Sequence, residues 1–183
     1  MNRIYKYFVE GECEEKLINT LKQPPINLLL PGKVEVFNFI TKKITRQRIS
    51  VLEPKTTIIL VYDIDVEQTD ILEYNIKLLN KFGFKTIHHI QSIKKFEDEI
   101  VYSTSLKNVN EMYGTVGRDE FKKAFIHQTD LFSKLKKHNF DSNKLWARIN
   151  NNAPFAKYSK QESLDLIKSN SKWFETYLKL DKA

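Results

Sequence analysis

The chain contains little cysteine, glycine or proline, and no long run of uncharged apolar residues. Its 183 residues include one cysteine, five glycines and five prolines. Cys13 alone can form neither an internal disulfide nor a cysteine-based zinc site, and such cysteine usage is typical of a reducing cytoplasm. No window approaches the roughly 20 apolar residues that cross a bilayer, and the first residues lack the apolar region of a signal peptide. We therefore expect a cytoplasmic protein without membrane contacts.

The composition indicates a folded, basic protein. The hydrophobic fraction is 41% and the aromatic fraction 12%, values that are typical of globular proteins and not of disordered ones. Thirty Lys and Arg residues against 23 Asp and Glu residues give a formal net charge of +7. This excess favours a polyanion such as nucleic acid as a partner, and a merely solvated lysine-rich surface is the alternative.

The first half of the chain alternates between strand and helix patterns. Strand patterns cover residues 3–9, 33–39, 56–62 and 84–90. The segment TTIILVY (56–62) is an unbroken apolar run rich in β-branched residues, as in a central parallel strand that is covered on both faces. Helix patterns cover residues 12–21 and 70–82, and less clearly the basic segment 40–49. This alternation predicts an α/β fold with a mainly parallel sheet flanked by helices.

After about residue 104 the pattern becomes helical. The segments 119–138, 142–150 and 162–180 read as helices. We interpret residues 1–104 as an α/β domain and residues 105–183 as a helical extension packed on the same unit. Trp146, Trp173, Phe174 and Tyr177 have spacings that favour a buried stripe over a surface for stacking nucleic-acid bases.

Two acidic clusters follow predicted strands. Glu10 ends the first strand, and Asp63 and Asp65 end the third. The carboxyl ends of parallel strands meet at one edge of the sheet, which is where ligands bind in such folds. Acids gathered there repel one another, and a divalent cation commonly relieves the repulsion. For an isolated DxD the commoner explanation is solvation of a strand end, but its convergence with Glu10 leads us to predict a metal site.

The residues at these strand ends resemble the motifs of the Toprim family. VEGECEE (9–15) resembles the first motif, a glutamate and a glycine after the first strand, and YDID (62–65) resembles the DxD motif. With a second glutamate at Glu14, the first motif is similar to that of the OLD and RloB-like Toprim nucleases of bacterial anti-phage defence systems. The chain departs from the pattern at residues 66–68, which are not glycine-rich, and at Cys13, where threonine is common. Neither departure removes an acid.

The resemblance covers residues 3–104 and implies a Toprim-like (Rossmann-like) fold with Mg²⁺- or Mn²⁺-dependent cleavage of phosphodiester bonds. The metal ligands that it implies are Glu10, Glu14, Asp63, Asp65 and Glu97, with Glu99 as a weaker candidate. Glu10, Asp63 and Asp65 are also candidate catalytic residues. The lysine that such nucleases use has no motif of its own, and Lys157 is our candidate for it.

We therefore expect a metal-dependent nuclease that acts on DNA or RNA, as the effector of a two-component anti-phage system. Because the chain contains no GxxxxGK[ST] phosphate loop, control by ATP would require a separate ATPase. A small Toprim ribonuclease that matures a structured RNA, and a non-catalytic Toprim-like binding module, stay open as alternatives, as does homo-oligomerisation.

Several other residues are weaker candidates. His88 and His89 are adjacent in a predicted strand, so their side chains point to opposite faces and cannot serve one site. We expect a packing role for Cys13, because no histidine is near it in the sequence to activate the thiol. The basic segment 42–48 and the pair Lys94 and Lys95 are candidates for phosphate contacts or for a solvated face.

Overall fold

The computed structural model describes residues 4–168, which form a parallel sheet with helices packed on both faces. The strands are β1 (Tyr5–Val9), β2 (Lys33–Val36), β3 (Thr57–Asp63) and β4 (Ile87–Ser92). The α helices are α1 (Glu12–Lys22), α2 (Arg46–Ser50), α3 (Asp70–Lys81), α4 (Phe96–Tyr102), α5 (Arg118–His127), α6 (Leu131–Lys137) and α7 (Gln161–Ile167). The predicted α/β class and parallel sheet are confirmed.

The strand order is β2-β1-β3-β4, and all three pairings are parallel. Val9, at the end of β1, is aligned with Val36 of β2 and with Val61 of β3. In the sheet, β2 thus lies on one side of β1, and the next strand along the chain, β3, lies on the other side of β1. This reversal opens a crevice beyond the carboxyl ends of β1 and β3, the usual ligand position in doubly wound sheets.

Two hydrophobic layers cover the sheet, because successive side chains of a strand point to opposite faces. Tyr7 and Val9 belong to one layer, with residues of α1, α5 and α6, whereas Phe8 belongs to the other, with residues of α2 and α3. All seven residues of β3 are buried, as its unbroken apolar run predicts. The first layer includes Phe121 and Phe125, so residues beyond 104 share a core with the sheet.

The helices of the second half differ from their predicted extents. The predicted helix 119–138 is two helices, since the side chain of Asp130 accepts a hydrogen bond from the Ser133 N–H at 3.0 Å and caps α6. The predicted helix 142–150 is wrong. Trp146 there has φ +55°, which an α helix cannot include, and its N–H donates to Glu99 Oε2.

The last predicted helix, 162–180, is described only as far as α7. Trp173, Phe174 and Tyr177 lie outside the described residues. Trp146 is buried in the first layer, as predicted. None of the helices described within residues 4–168 has both the length and the apolar character needed to cross a membrane.

Candidate active site at the carboxyl ends of β1 and β3

A cavity of about 350 Å³ lies beyond the carboxyl ends of β1 and β3. Its lining combines acids with two basic side chains of α5: Glu10, Gly11, Glu12, Cys13, Glu14, Asn38, Asp63, Phe96, Arg118, Lys122 and Ile126. Three of the five predicted metal ligands, Glu10, Glu14 and Asp63, are therefore brought together. We call this space the acidic cavity.

Glu10 and Asp63 meet because β1 and β3 are neighbouring strands. The backbone N–H of Asp63 donates to Glu10 Oε2 at 3.1 Å. Asp63 is 6% exposed, and the Glu10 side chain also hydrogen-bonds that of Asn38. Residues 53 positions apart in the chain thus share one crevice.

Glu14 enters the cavity from the first turn of α1 and is 5% exposed. A Cβ atom on Gly11 would lie 3.2 Å from Glu14 Oε2. Since Gly11 has an extended backbone (φ −148°), its advantage here is space and not conformational freedom. The glycine that follows the first strand thus leaves room for the carboxylate of the next helix.

Burial and mutual repulsion raise the pKa values of these acids. The pKa of Asp63 rises to about 8, first because of burial and then because of the charges of Glu14 and Glu10. The pKa of Glu14 rises to about 7, chiefly through burial, with Glu10 and Glu97 adding to the shift. Burial also raises the pKa of Glu10 above its ordinary value. The cavity therefore holds protons near neutral pH or attracts a cation in their place.

The donor atoms suit a hard divalent cation. Asp63 Oδ1 is buried and has no hydrogen-bond partner among the described residues, and carboxylate oxygens are the ligands that Mg²⁺ and Mn²⁺ favour. As they stand, however, no three His, Cys, Asp or Glu side chains within residues 4–168 form a group that could hold a metal ion. The chemistry of the donors fits such an ion, whereas their present arrangement is not a completed site.

Glu97 lies beside the acidic cavity but is not among its lining residues. Its Oε1 is 2.6 Å from Arg118 Nε and 3.7 Å from Lys122 Nζ. Burial raises the pKa of Glu97, but the hydrogen bond and charge of Arg118 outweigh it, so the net pKa is lowered. Glu97 is thus an ionised carboxylate held by two cations.

Asp65 and Lys157 are not brought into the acidic cavity. Asp65 lies 3.8 Å from Lys95 Nζ and lines a neighbouring cavity of about 640 Å³ beyond β3 and β4. Asp65 lies two residues beyond the end of β3 and, unlike Asp63, does not line the acidic cavity. Lys157 donates to Glu73 Oε1 at 2.6 Å, on the exposed surface of α3.

Glu99 is a structural anchor. It is fully buried and accepts hydrogen bonds from the N–H groups of Ile93 and Trp146 and from Arg148 Nη2, at 2.9, 3.1 and 2.6 Å. With these partners it joins α4 to the end of β4 and to residues 146–148. The carboxylate of Glu99 is therefore engaged by groups of the fold itself.

The thiol and the histidines have no part in the cavity's acid chemistry. Burial raises the pKa of Cys13 to about 12, so the thiol stays protonated and packs in the core. Burial lowers the pKa of His89 to about 3, and its ring stacks on Tyr158. His88 instead lies against Ser163 of α7. The two imidazoles therefore have separate surroundings, as strand alternation predicts.

Sequence reasoning missed Asn38, Arg118 and Lys122. Asn38 comes two residues after β2, at the same edge of the sheet as Glu10, so strand-end logic could have found it. Arg118 and Lys122 are four residues apart and share one face of α5, but nothing local indicates which element that face meets. Of the basic segment 42–48, Arg48 pairs with Glu35 and stacks on Phe37, away from the cavity.

Comparison of the chain with protein-family models, with curated proteins and with solved structures gave no match in any of the three. A function is accordingly inferred from the fold, the cavity and the motifs of the chain itself.

Proposed function

We propose that the protein is a Mg²⁺- or Mn²⁺-dependent nuclease of Toprim type that hydrolyses phosphodiester bonds in nucleic acid. One observation carries the proposal: Asp63, at the end of the central strand, has a buried oxygen without a partner in the described fold, and it faces Glu10 and Glu14 in an open cavity. Burying carboxylates that repel one another costs free energy unless a bound cation neutralises them, and such groups are found most often at functional sites. The net charge of +7 suits a nucleic-acid substrate.

Asp63, Glu14 and Glu10 are the residues that would hold the cation. When bound, a divalent ion lowers the pKa of a water molecule and stabilises the leaving oxygen of the phosphodiester. Glu10 is held by the Asp63 N–H and by Asn38, so its carboxylate is positioned to accept or return a proton. Asp65 and Lys157, which lie elsewhere, have no part in this proposal.

The resemblance to the OLD and RloB-like nucleases motivates a further part of the proposal. The protein would act as the effector of an anti-phage system, with a separate ATPase as the sensor, because the chain has no phosphate loop of its own. Maturation of one structured RNA, without an ATPase, is the competing use of the same chemistry.

The direct test compares cleavage by wild type, Asp63→Asn and Asp98→Asn. Asp98 is an exposed aspartate in the first turn of α4, so the same substitution there is a matched control. We expect Mg²⁺ or Mn²⁺ to support cleavage by wild type and Asp98→Asn, and Asp63→Asn to be inactive. Lack of metal-dependent cleavage by wild type, alone and with any ATPase encoded beside it, would contradict the proposal.

A non-catalytic binding module is the second candidate, and the ion pairs of Glu97 and Asp65 favour it because they neutralise two predicted ligands. Titration with Mn²⁺ separates the two. An ion at 100 times its dissociation constant stabilises the native state by about 2.7 kcal/mol, which is visible as a rise in Tm. We expect this rise in wild type and not in Asp63→Asn, whereas an inert module shows it in neither.

A further inference from the structure

The acidic cavity has a basic wall that no motif predicted. Arg118 and Lys122 both line it from α5, four residues apart on one face of the helix, and each side chain is about two-fifths exposed (44% and 39%). Lys123, the next residue, is exposed but does not line the cavity. Two cations and four carboxyl groups, those of Glu10, Glu12, Glu14 and Asp63, therefore line one space of about 350 Å³.

Glu97, the carboxylate that these two cations contact in the described fold, accepts few of the hydrogen bonds that they can donate. Both lie near one oxygen of Glu97, while Glu97 Oε2 is buried without a partner among residues 4–168. Arg118 reaches Glu97 through Nε, one of the five N–H donors of a guanidinium. A planar guanidinium beside an ammonium group is suited to the oxygens of a phosphate.

The charges of the two walls are complementary to a phosphodiester bound beside a cation. Lys122 and Arg118 line the same cavity as Glu10, Glu14 and Asp63, so cations and carboxyl groups border one space. A phosphate placed between the walls would have cations of α5 on one side and a metal held by the carboxylates on the other. The carboxylates alone would repel it.

We propose that Arg118 and Lys122 are the substrate-phosphate contacts of the acidic cavity, and that Glu97 holds them in place until a phosphate replaces it. The proposal rests on the proposed function for the identity of the substrate, a nucleic acid. It assigns Arg118 and Lys122 the role of positioning the phosphodiester at the carboxylates.

The test is the salt dependence of binding to a fluorescent single-stranded oligonucleotide at one fixed Ca²⁺ concentration, for wild type, Arg118→Gln, Lys122→Gln and Lys123→Gln. Each lost phosphate contact should reduce the slope of log K against log salt by about 0.7 and weaken binding roughly threefold to tenfold. We expect these changes in Arg118→Gln and Lys122→Gln and an unchanged slope in Lys123→Gln. Glu97→Gln should bind more tightly than wild type, since it removes the competing carboxylate.

Equal changes in Lys122→Gln and Lys123→Gln would overturn the proposal, because the binding would then reflect surface charge in general. Unchanged slopes in Arg118→Gln and Lys122→Gln would overturn it as well. Unfolding midpoints of all variants establish that each is folded. Cleavage in Mg²⁺ is measured in parallel: if wild type is inactive while the slopes change as expected, the hydrolysis proposal fails and the phosphate contacts stand.

Discussion

Replacing Asp63 by asparagine should stabilise the protein in the absence of metal, and increasingly so as the pH rises. Asparagine has nearly the same shape as aspartate but no charge. The native state holds the Asp63 carboxyl in a buried place beside Glu10 and Glu14, so ionisation there is costly. The substitution Asp63→Asn would remove that cost while leaving the packing of β3 in place.

The size of the effect follows from the difference between the two pKa values. Asp63 titrates at about 8 in the native state against an ordinary value of 3.8 in the unfolded chain. Between these values the native state keeps a proton that the unfolded state has lost, so stability falls by about 1.4 kcal/mol for each pH unit gained. The full cost of the aspartate is about 4 kcal/mol at pH 7 and below about 2 kcal/mol at pH 5.

The assay is urea unfolding in EDTA at pH 5, 7 and 8.5, with wild type, Asp63→Asn and the matched control Asp98→Asn. We expect the stability gain of Asp63→Asn to grow with pH and the control to show no such trend. Since Glu10 and Glu14 share the repulsion, even half of the calculated gain at pH 7, about 2 kcal/mol, supports the reasoning. A gain that does not change with pH, or a loss of stability at pH 8.5, would refute it.

Three further outcomes test other parts of the structure. Gly32→Ala should destabilise the fold by about 1–3 kcal/mol in urea unfolding, because the new Cβ would lie 2.7 Å from the Tyr5 carbonyl oxygen; an unchanged midpoint would show that β1 yields at no cost. Glu99→Gln should cost about 2 kcal/mol, the scale of a hydrogen bond to a charged group, since it leaves the half-buried guanidinium of Arg148 without its counter-charge. A loss no greater than that of Asp98→Asn would contradict the anchor role. Cys13 should not react with a thiol reagent in the native protein at pH 8, because its pKa is about 12 and it is buried. Rapid labelling before unfolding would show that α1 opens locally.

Local patterns in the chain were sufficient for much of the fold. The run TTIILVY predicted a buried central strand, and the helix that ends near Gly83 was predicted to within one residue. Prediction failed at 142–150, where the spacing suits a helix but the Trp146 N–H bonds instead to Glu99, 47 residues away. A partner so distant in the chain leaves no trace in local periodicity.

For the carboxylates of the site too, local sequence patterns predicted one part of the arrangement and only long-range packing decided the rest. That Glu10 and Asp63 each end a strand of a parallel sheet follows from residue type and spacing, because the periods of strands and helices are local properties. Which strands become neighbours, and which helix covers their ends, depends on the packing of the whole chain. Only the folded arrangement put β1 beside β3, turned Asp65 towards Lys95 and set Arg118 of α5 opposite the acids. Such pairings arise from burial and charge between distant segments, and no short stretch of residues encodes them.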